Sequence, residues 1–165
     1  MGPFDILTEQ HRELEDQLEA FESDEGPREA QTQRERFEAL AELLRLHTWL
    51  EERYLSPLLT RVEGRGRACQ EREEHLTMSE LMEELEEFEP EADEWWARLT
   101  ALEDLIVAHA RQEELETFPR LDATLEPEEQ DSLRRALLGL REQLLSRPSS
   151  LSGNGPSFEE NSGNA

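Results

Sequence analysis

Four stretches of the chain place apolar side chains at alternating steps of three and four, the spacing of a helix that faces a partner along a narrow seam. The first runs from about Pro3 to Glu22, with Phe4, Leu7, Leu14, Leu18 and Phe21 on one stripe and His11 completing the series. The second runs from about Arg28 to Val62 through Phe37, Leu40, Leu44, His47, Glu51, Tyr54 and Leu58. The third, about Ala68 to Phe88, reads Glu71, His75, Met78, Met82 and Leu85. The fourth, about Glu91 to Phe118, reads Trp95, Leu99, Leu102, Ile106, His109 and Glu113. A fifth helix is predicted from Pro127 to about Ser146, with Leu133, Leu137, Leu140 and Leu144 on one face. No run of period two is present, so no strand is expected.

Breakers separate these stretches. Gly26-Pro27 follows the first, Gly64 and Gly66 end the second, and Pro90 precedes the fourth. Pro57, inside the second, should kink or loosen its last turns. Short connections between seam-bearing helices predict an all-α, antiparallel up-down-up-down four-helix bundle with an added C-terminal helix, residues 1–146. From residue 147 onward the chain is rich in Ser, Gly and Asn, the composition of a disordered tail, 147–165.

Composition narrows the partners. The chain has 165 residues and a net charge of −24, from 41 acidic residues against 17 basic ones, all of them Arg. Such a surface repels nucleic acid and anionic membranes. Its acids mainly keep a helical surface soluble, and they also favour approaching cations. Cys69 is the only cysteine, which excludes an internal disulfide and a thiolate metal site. The N-terminal residues show neither the basic nor the apolar segment of a signal peptide, and no apolar run spans a membrane, so a cytoplasmic setting is expected.

The seams themselves carry the chemistry. His47-Thr-Trp-Leu-Glu51-Glu52 and four further residues to Pro57 return as His109-Ala-Arg-Gln-Glu113-Glu114 and four further residues to Pro119. On a helix, His at i and Glu at i+4 point the same way. His11 and His47 are 36 residues apart and His75 and His109 are 34 apart, so helices one and two form a hairpin that helices three and four repeat. The midpoint of each successive histidine pair falls within a few residues of a breaker. All four histidines should therefore share one layer of the bundle. Glu51, Glu71 and Glu113 join them on the seams, where buried carboxylates are costly unless paired or bound to a metal. The chain has no Lys to pair with them, and no Arg is expected on these seams.

Four imidazoles and two or three carboxylates exceed one tetrahedral zinc and suit two ions bridged by carboxylates. The repeat gives each ion two histidines and makes Glu51 and Glu113 the bridges. Glu71 stands one turn before His75 where Leu7 stands one turn before His11, so one ion gains a ligand and the other keeps an open position beside an apolar wall. Among the remaining residues, Tyr54 lies one turn beyond Glu51, either within reach of a bound ligand or as plain core. Glu52 and Glu114 are expected to face solvent or the outer side of the ligands. Trp95, Phe37, Met78 and Met82 are read as packing, and Cys69 as inert.

The order His11, His47-x-x-x-Glu51, His75, His109-x-x-x-Glu113 resembles the hemerythrin-like HHE domain, a non-haem di-iron four-helix bundle, over roughly residues 3 to 120. The resemblance implies two iron ions, bridged by carboxylates and an oxo or hydroxo group, with manganese or zinc as substitutes. It implies His11, His47, His75 and His109 as ligands and Glu51 and Glu113 as bridging carboxylates. This chain has Glu71 where hemerythrins proper carry a fifth histidine. Those proteins also place the last carboxylate five residues after its histidine, the position of Glu114; the spacing to Glu113 is that of the bacterial and sensor branches. A carboxylate in place of a neutral imidazole should lower the iron potential and disfavour stable oxygen carriage. The branch that repairs iron–sulfur centres is less expected, because it usually adds a cysteine-bearing N-terminal segment. The leading expectation is a protein, monomer or homodimer, that binds dioxygen or a related small oxidant for storage, sensing or protection. The alternatives are an enzyme consuming hydrogen peroxide or nitric oxide on the same ligands, and an iron-dependent sensing or interaction domain.

Overall fold

A computed structural model describes residues 1–22 and 29–145. Five helical rods are built from α1 (Asp5–Glu22), α2 (Ala30–Leu50), α3 (Ser56–Glu63), α4 (Arg65–Glu87), α5 (Asp93–Gln112), α6 (Phe118–Thr124) and α7 (Pro127–Leu145). A π turn, Glu51–Leu55, joins α2 to α3, and a second, Glu113–Thr117, joins α5 to α6. No strand occurs among the described residues, and no described helix is long and apolar enough to cross a membrane. Successive rods pack on one another, and α1 also packs on α5 to close the ring. The expected all-α up-down-up-down bundle is the fold.

The predicted seams are the buried stripes. On α1, Phe4, Leu7, His11, Leu14, Leu18 and Phe21 are all buried, as are the seam residues of α2, α4 and α5. They form two apolar clusters. One gathers Leu14, Leu18, Phe37, Leu44, Met78, Met82, Trp95 and Ile106, and the other gathers Phe4, Leu7, Leu50, Leu55, Leu59, Phe118, Leu121 and Leu137. Trp95, Phe37, Met78 and Met82 are packing residues, as their positions predict. The layer of histidines lies between the two clusters.

Several boundaries differ from the sequence expectation. Gly64, at φ 92°, makes the turn between α3 and α4 alone, while Gly66 lies inside the first turn of α4. The fourth rod does not stop at Phe118 but continues through Pro119 to Thr124. The reason lies in the π turns. The Ser56 N–H donates to the Glu51 carbonyl and the Phe118 N–H to that of Glu113, each reaching back five residues. Each widened turn comes just ahead of a proline, whose ring clashes with the carbonyl four residues back and which has no N–H to donate. Pro57 and Pro119 then fall in the first turn of the next segment, where that missing donor costs nothing. Pro57 does loosen its rod, by a π turn.

A π turn inserts one residue, and everything after it rotates. The inward positions beyond Glu51 are Leu55 and Leu59, while Tyr54 and Leu58 are only half-buried against the second cluster. Tyr54 consequently lines a surface groove with Pro57, Leu58, Leu125 and Leu133, away from the histidine layer. The fifth helix docks on the bundle: Leu137 is fully buried, Arg141 pairs with Glu9 at 2.8 Å and Arg61 with Glu129 at 2.7 Å. Leu133 and Leu140 are half-buried, whereas the side chain of Leu144, the Gly26-Pro27 break and the expected tail lie outside the described residues. The register shift has a direct test in denaturant melts. Leu59→Ala should cost about 2–5 kcal/mol, the range for emptying a buried leucine site, and Leu58→Ala clearly less; equal losses would place the seam where an unbroken α-helix puts it.

Candidate metal centre

The histidines meet in one layer, in two pairs. His11 Nε2 is 3.1 Å from His47 Nε2, and His75 Nε2 is 3.3 Å from His109 Nε2. Glu51 stands between the pairs and divides its oxygens: Oε1 is 2.6 Å from His47 Nε2, while Oε2 is 2.8 Å from His75 Nε2 and 3.0 Å from His109 Nε2. Glu113 does the same with one oxygen, Oε1 lying 3.2 Å from His11 Nε2 and 2.9 Å from His109 Nε2. Glu71 enters beside the second pair, with Oε1 3.8 Å from His109 Nε2. All seven side chains are buried, Glu51 and Glu113 completely.

Two sets of donors result. His11, His47, Glu51 and Glu113 converge at one position, and Glu51, Glu71, His75 and His109 at another. Glu51 belongs to both. Every residue singled out on the seams is brought into the layer, and Glu113 rather than Glu114 is the inner carboxylate of the second phrase. The i+4 spacing aims it there. Cys69 is exposed and takes no part.

The outer side of the layer explains the paired glutamates of the repeated phrase. Each ring turns Nε2 inward and leaves Nδ1 for a partner outside. His47 Nδ1–H donates to Gln10 Oε1 at 2.7 Å, and His109 Nδ1–H to Glu74 Oε2 at 2.8 Å. His75 Nδ1 lies 3.4 Å from Glu52 Oε1, and His11 Nδ1 lies 3.9 Å from Glu114 Oε2. Glu52 and Glu114 thus face the rings of the opposite hairpin partner. The two hydrogen bonds hold His47 and His109 with the inner nitrogen free to bind a cation, while Glu52 and Glu114 supply negative charge near the outer nitrogens of His75 and His11. Gln10 and Glu74 are the partners the seam pattern misses. Their signal is present in the repeat, since each directly precedes a seam histidine, His11 or His75.

One cation lies on a seam after all. Arg67 continues the Glu71 and His75 stripe one turn toward the start of α4, partly buried, and its Nη2 donates to Thr117 Oγ1 at 3.2 Å. The other hairpin has Pro3 and Leu55 at the equivalent places. Phe118 lies parallel to the His11 ring at 6.0 Å and is itself stacked on Phe4 at 4.9 Å. With the buried Leu7, these rings form the apolar wall expected beside the first pair.

Electrostatics mark the layer as a place for positive charge. Burial disfavours the charged form of His11, but the adjoining Glu113 and Glu51 carboxylates outweigh it and raise its pKa to about 9. His75 is likewise opposed by burial and raised to about 9 by Glu51 and Glu52, and His109 is raised well above the ordinary imidazole value by Glu113 and Glu51. Glu51 is held low against burial by His47 and His109. Glu71 goes the other way: burial, then the charges of Glu113 and Glu51, push it up to about 9. Neither of its oxygens has a hydrogen-bond partner. A buried acid with two orphaned oxygens, beside a His109 ring whose outer nitrogen is already engaged by Glu74, fits a cation between them. Four nitrogens and three carboxylates are the donor set of borderline and hard metal ions.

A bundle with a twice-stated His/Glu interior of this kind is a metal-binding four-helix protein by its construction. The sequence model of the hemerythrin HHE cation binding domain matches residues 2–121, and the chain belongs to that family. No curated protein and no solved structure matches it. The match ends within α6, and the docked α7 lies beyond it.

The proton balance of the metal-free layer can be measured. His11 and His75 at about 9 hold protons in the folded state that unfolded histidines lose near 6.5, so their stabilisation is complete below 6.5 and lost as pH rises through 9. Glu71, raised from 4.5 to about 9, acts with the same sign, since folded protein binds the extra proton across that window. In chelator, the melting temperature should fall steadily from pH 6.5 to 9; a flat or rising curve would contradict these protonation states.

Proposed function

We propose that the chain is a non-haem di-iron protein that binds dioxygen or a related small oxidant, for storage, sensing or protection against oxidants. The observation that carries this is the division of Glu51, one oxygen to each histidine pair. A carboxylate so placed serves two cations better than one. His11 and His47 would hold one iron and His75, His109 and Glu71 the other, with Glu51 and Glu113 spanning both. Manganese and zinc meet the same donors, and iron is favoured because six or more nitrogen and oxygen donors over two positions suit ions of higher coordination number than zinc. The bound pair would supply electrons and an open coordination position to a small oxidant.

What this chain's own residues do is shape that position. Glu71 completes the donor set of one half, while its counterpart Leu7 supplies none, so the vacancy falls in the His11/His47 half. Leu7, Phe4 and Phe118 keep water from it. Phe118 and Glu114 also line a surface pocket of about 370 Å³ with Phe4, Thr8 and Asp122, which brings solvent within one side chain of His11. The layer behind that pocket is closed, with His11, Leu7 and Phe118 all buried, so it has room for an oxidant of a few atoms and not for an extended substrate.

Anaerobic iron loading followed by metal analysis should give two irons per chain, and exposure to air should develop charge-transfer absorption in the visible. Glu51→Ala should lose most of both irons, because both halves share that residue, while Tyr54→Phe should keep the full content. Fewer than one iron per chain in the unaltered protein would overturn the reading. Sustained consumption of hydrogen peroxide would convert it to that of an oxidant-destroying enzyme.

A further inference from the structure

The repeat sets Gln10 and Glu74 at equivalent positions, each directly before a seam histidine and each accepting from the outer nitrogen of the ring across its hairpin. The contacts are nearly equal in length, 2.7 Å for Gln10 with His47 and 2.8 Å for Glu74 with His109. The chemistry is not equal. Glu74 is a carboxylate and Gln10 a neutral amide. A carboxylate behind an imidazole draws its proton outward and makes the inner nitrogen the stronger donor; an amide does this weakly.

The second pair of outer contacts leans the same way. Glu52 lies 3.4 Å from His75 Nδ1, whereas Glu114 stands off at 3.9 Å from His11 Nδ1. Glu71 then adds an inner carboxylate to the half that already has the better-supported rings. Each of these three differences adds negative charge or donor strength to the His75/His109 half. Arg67, a cation on the same helix one turn from Glu71, is turned away from the layer, toward Glu63 at 3.7 Å and Thr117 at 3.2 Å.

We infer that Glu74 and Gln10 are positioning residues that make the two metal positions unequal, so that the His75/His109 half takes its cation first and more tightly, and the His11/His47 half second. This rests on the metal-binding reading above. Ordered filling has a use in such a site: the first ion settles where it is held hardest and neutralises part of the shared Glu51 and Glu113, and the second is left in the weakly donating half beside the apolar wall.

Cobalt(II), titrated into the metal-free full chain without oxygen and followed by visible absorption and calorimetry, tests this directly. Two steps of different affinity are expected. His75→Ala should abolish the tighter step and His11→Ala the weaker one. Glu74→Gln should weaken the tighter step by about 10–100-fold, the usual cost of removing a ligand's outer partner, and Gln10→Glu should tighten the weaker step by about tenfold. The melting temperature of the metal-free Glu74→Gln protein separates this effect from loss of fold. Two bound ions whose affinities move by less than about twofold in both Glu74→Gln and Gln10→Glu would overturn the inference and leave the metal centre standing. So would a His75→Ala protein that keeps the tighter step. Fewer than one cobalt ion bound by the unaltered chain would instead remove the metal centre itself.

Discussion

Seven ionisable side chains buried in one layer of a small bundle set the terms for everything around them. Three carboxylates and four imidazoles leave water together, and no Lys is available anywhere in the chain to neutralise the acids. The layer survives because each charge has an opposite within reach: Glu51 touches three of the four histidines at 3.0 Å or less. Above and below it lie the two apolar clusters, and these do the stabilising through burial of leucine, phenylalanine and tryptophan. A buried ion network contributes little net stability of its own. What it contributes is a requirement for four helices in one register, since a slip of one turn would leave a carboxylate facing leucine.

The two π turns follow from that requirement. A plain α-helix carrying His47 and Glu51 inward would next present Tyr54 and then drive Pro57 against the carbonyl of Arg53. Inserting one residue at Glu51–Leu55 resolves the clash and turns Leu55 and Leu59 toward the second cluster. The same device after Glu113 turns Thr117 and Leu121 inward. The prolines at the end of each repeated phrase thus belong to the geometry of the site, although both are exposed. The adjacent glutamates are explained by the same rods: on each, the first points in and the second reaches the far side of a ring on another helix.

Most of the fold and the inner site was legible in the sequence because the signal is a period. Steps of three and four survive any detail of loop geometry, and a histidine or glutamate on such a stripe announces itself against leucine. Breakers midway between the histidines then gave the layer. The residue inserted in each π turn has no periodic signature of its own, and so Tyr54 and Leu58 were expected inside and the fourth rod was expected to stop at Phe118. Arg67 lies at the end of its stripe, just before the predicted start of the third helix, where the period no longer marks it. Gln10 and Glu74 sit one position off the seam, where a polar side chain on a charged helix carries no message until the ring it touches is known.

The repeat is most informative where it fails. Leu7 answers to Glu71, Gln10 to Glu74, Pro3 to Arg67 and Leu55 to Thr117, and in every case the second hairpin carries the polar or charged member. A symmetric pair of hairpins would build two equal metal positions, and equal positions bind two ions and offer nothing in particular to a third partner. Here the substitutions gather donors and hydrogen bonds at one half and an apolar wall of Leu7, Phe4 and Phe118 at the other. If the proposed iron pair is bound, a small oxidant would use both: the donor-rich half to hold the cation firmly and the apolar half to leave a dry position beside it. On the proposed di-iron reading, the departures from two-fold symmetry would put the binding of that oxidant in the His11/His47 half, the half with fewer donor side chains.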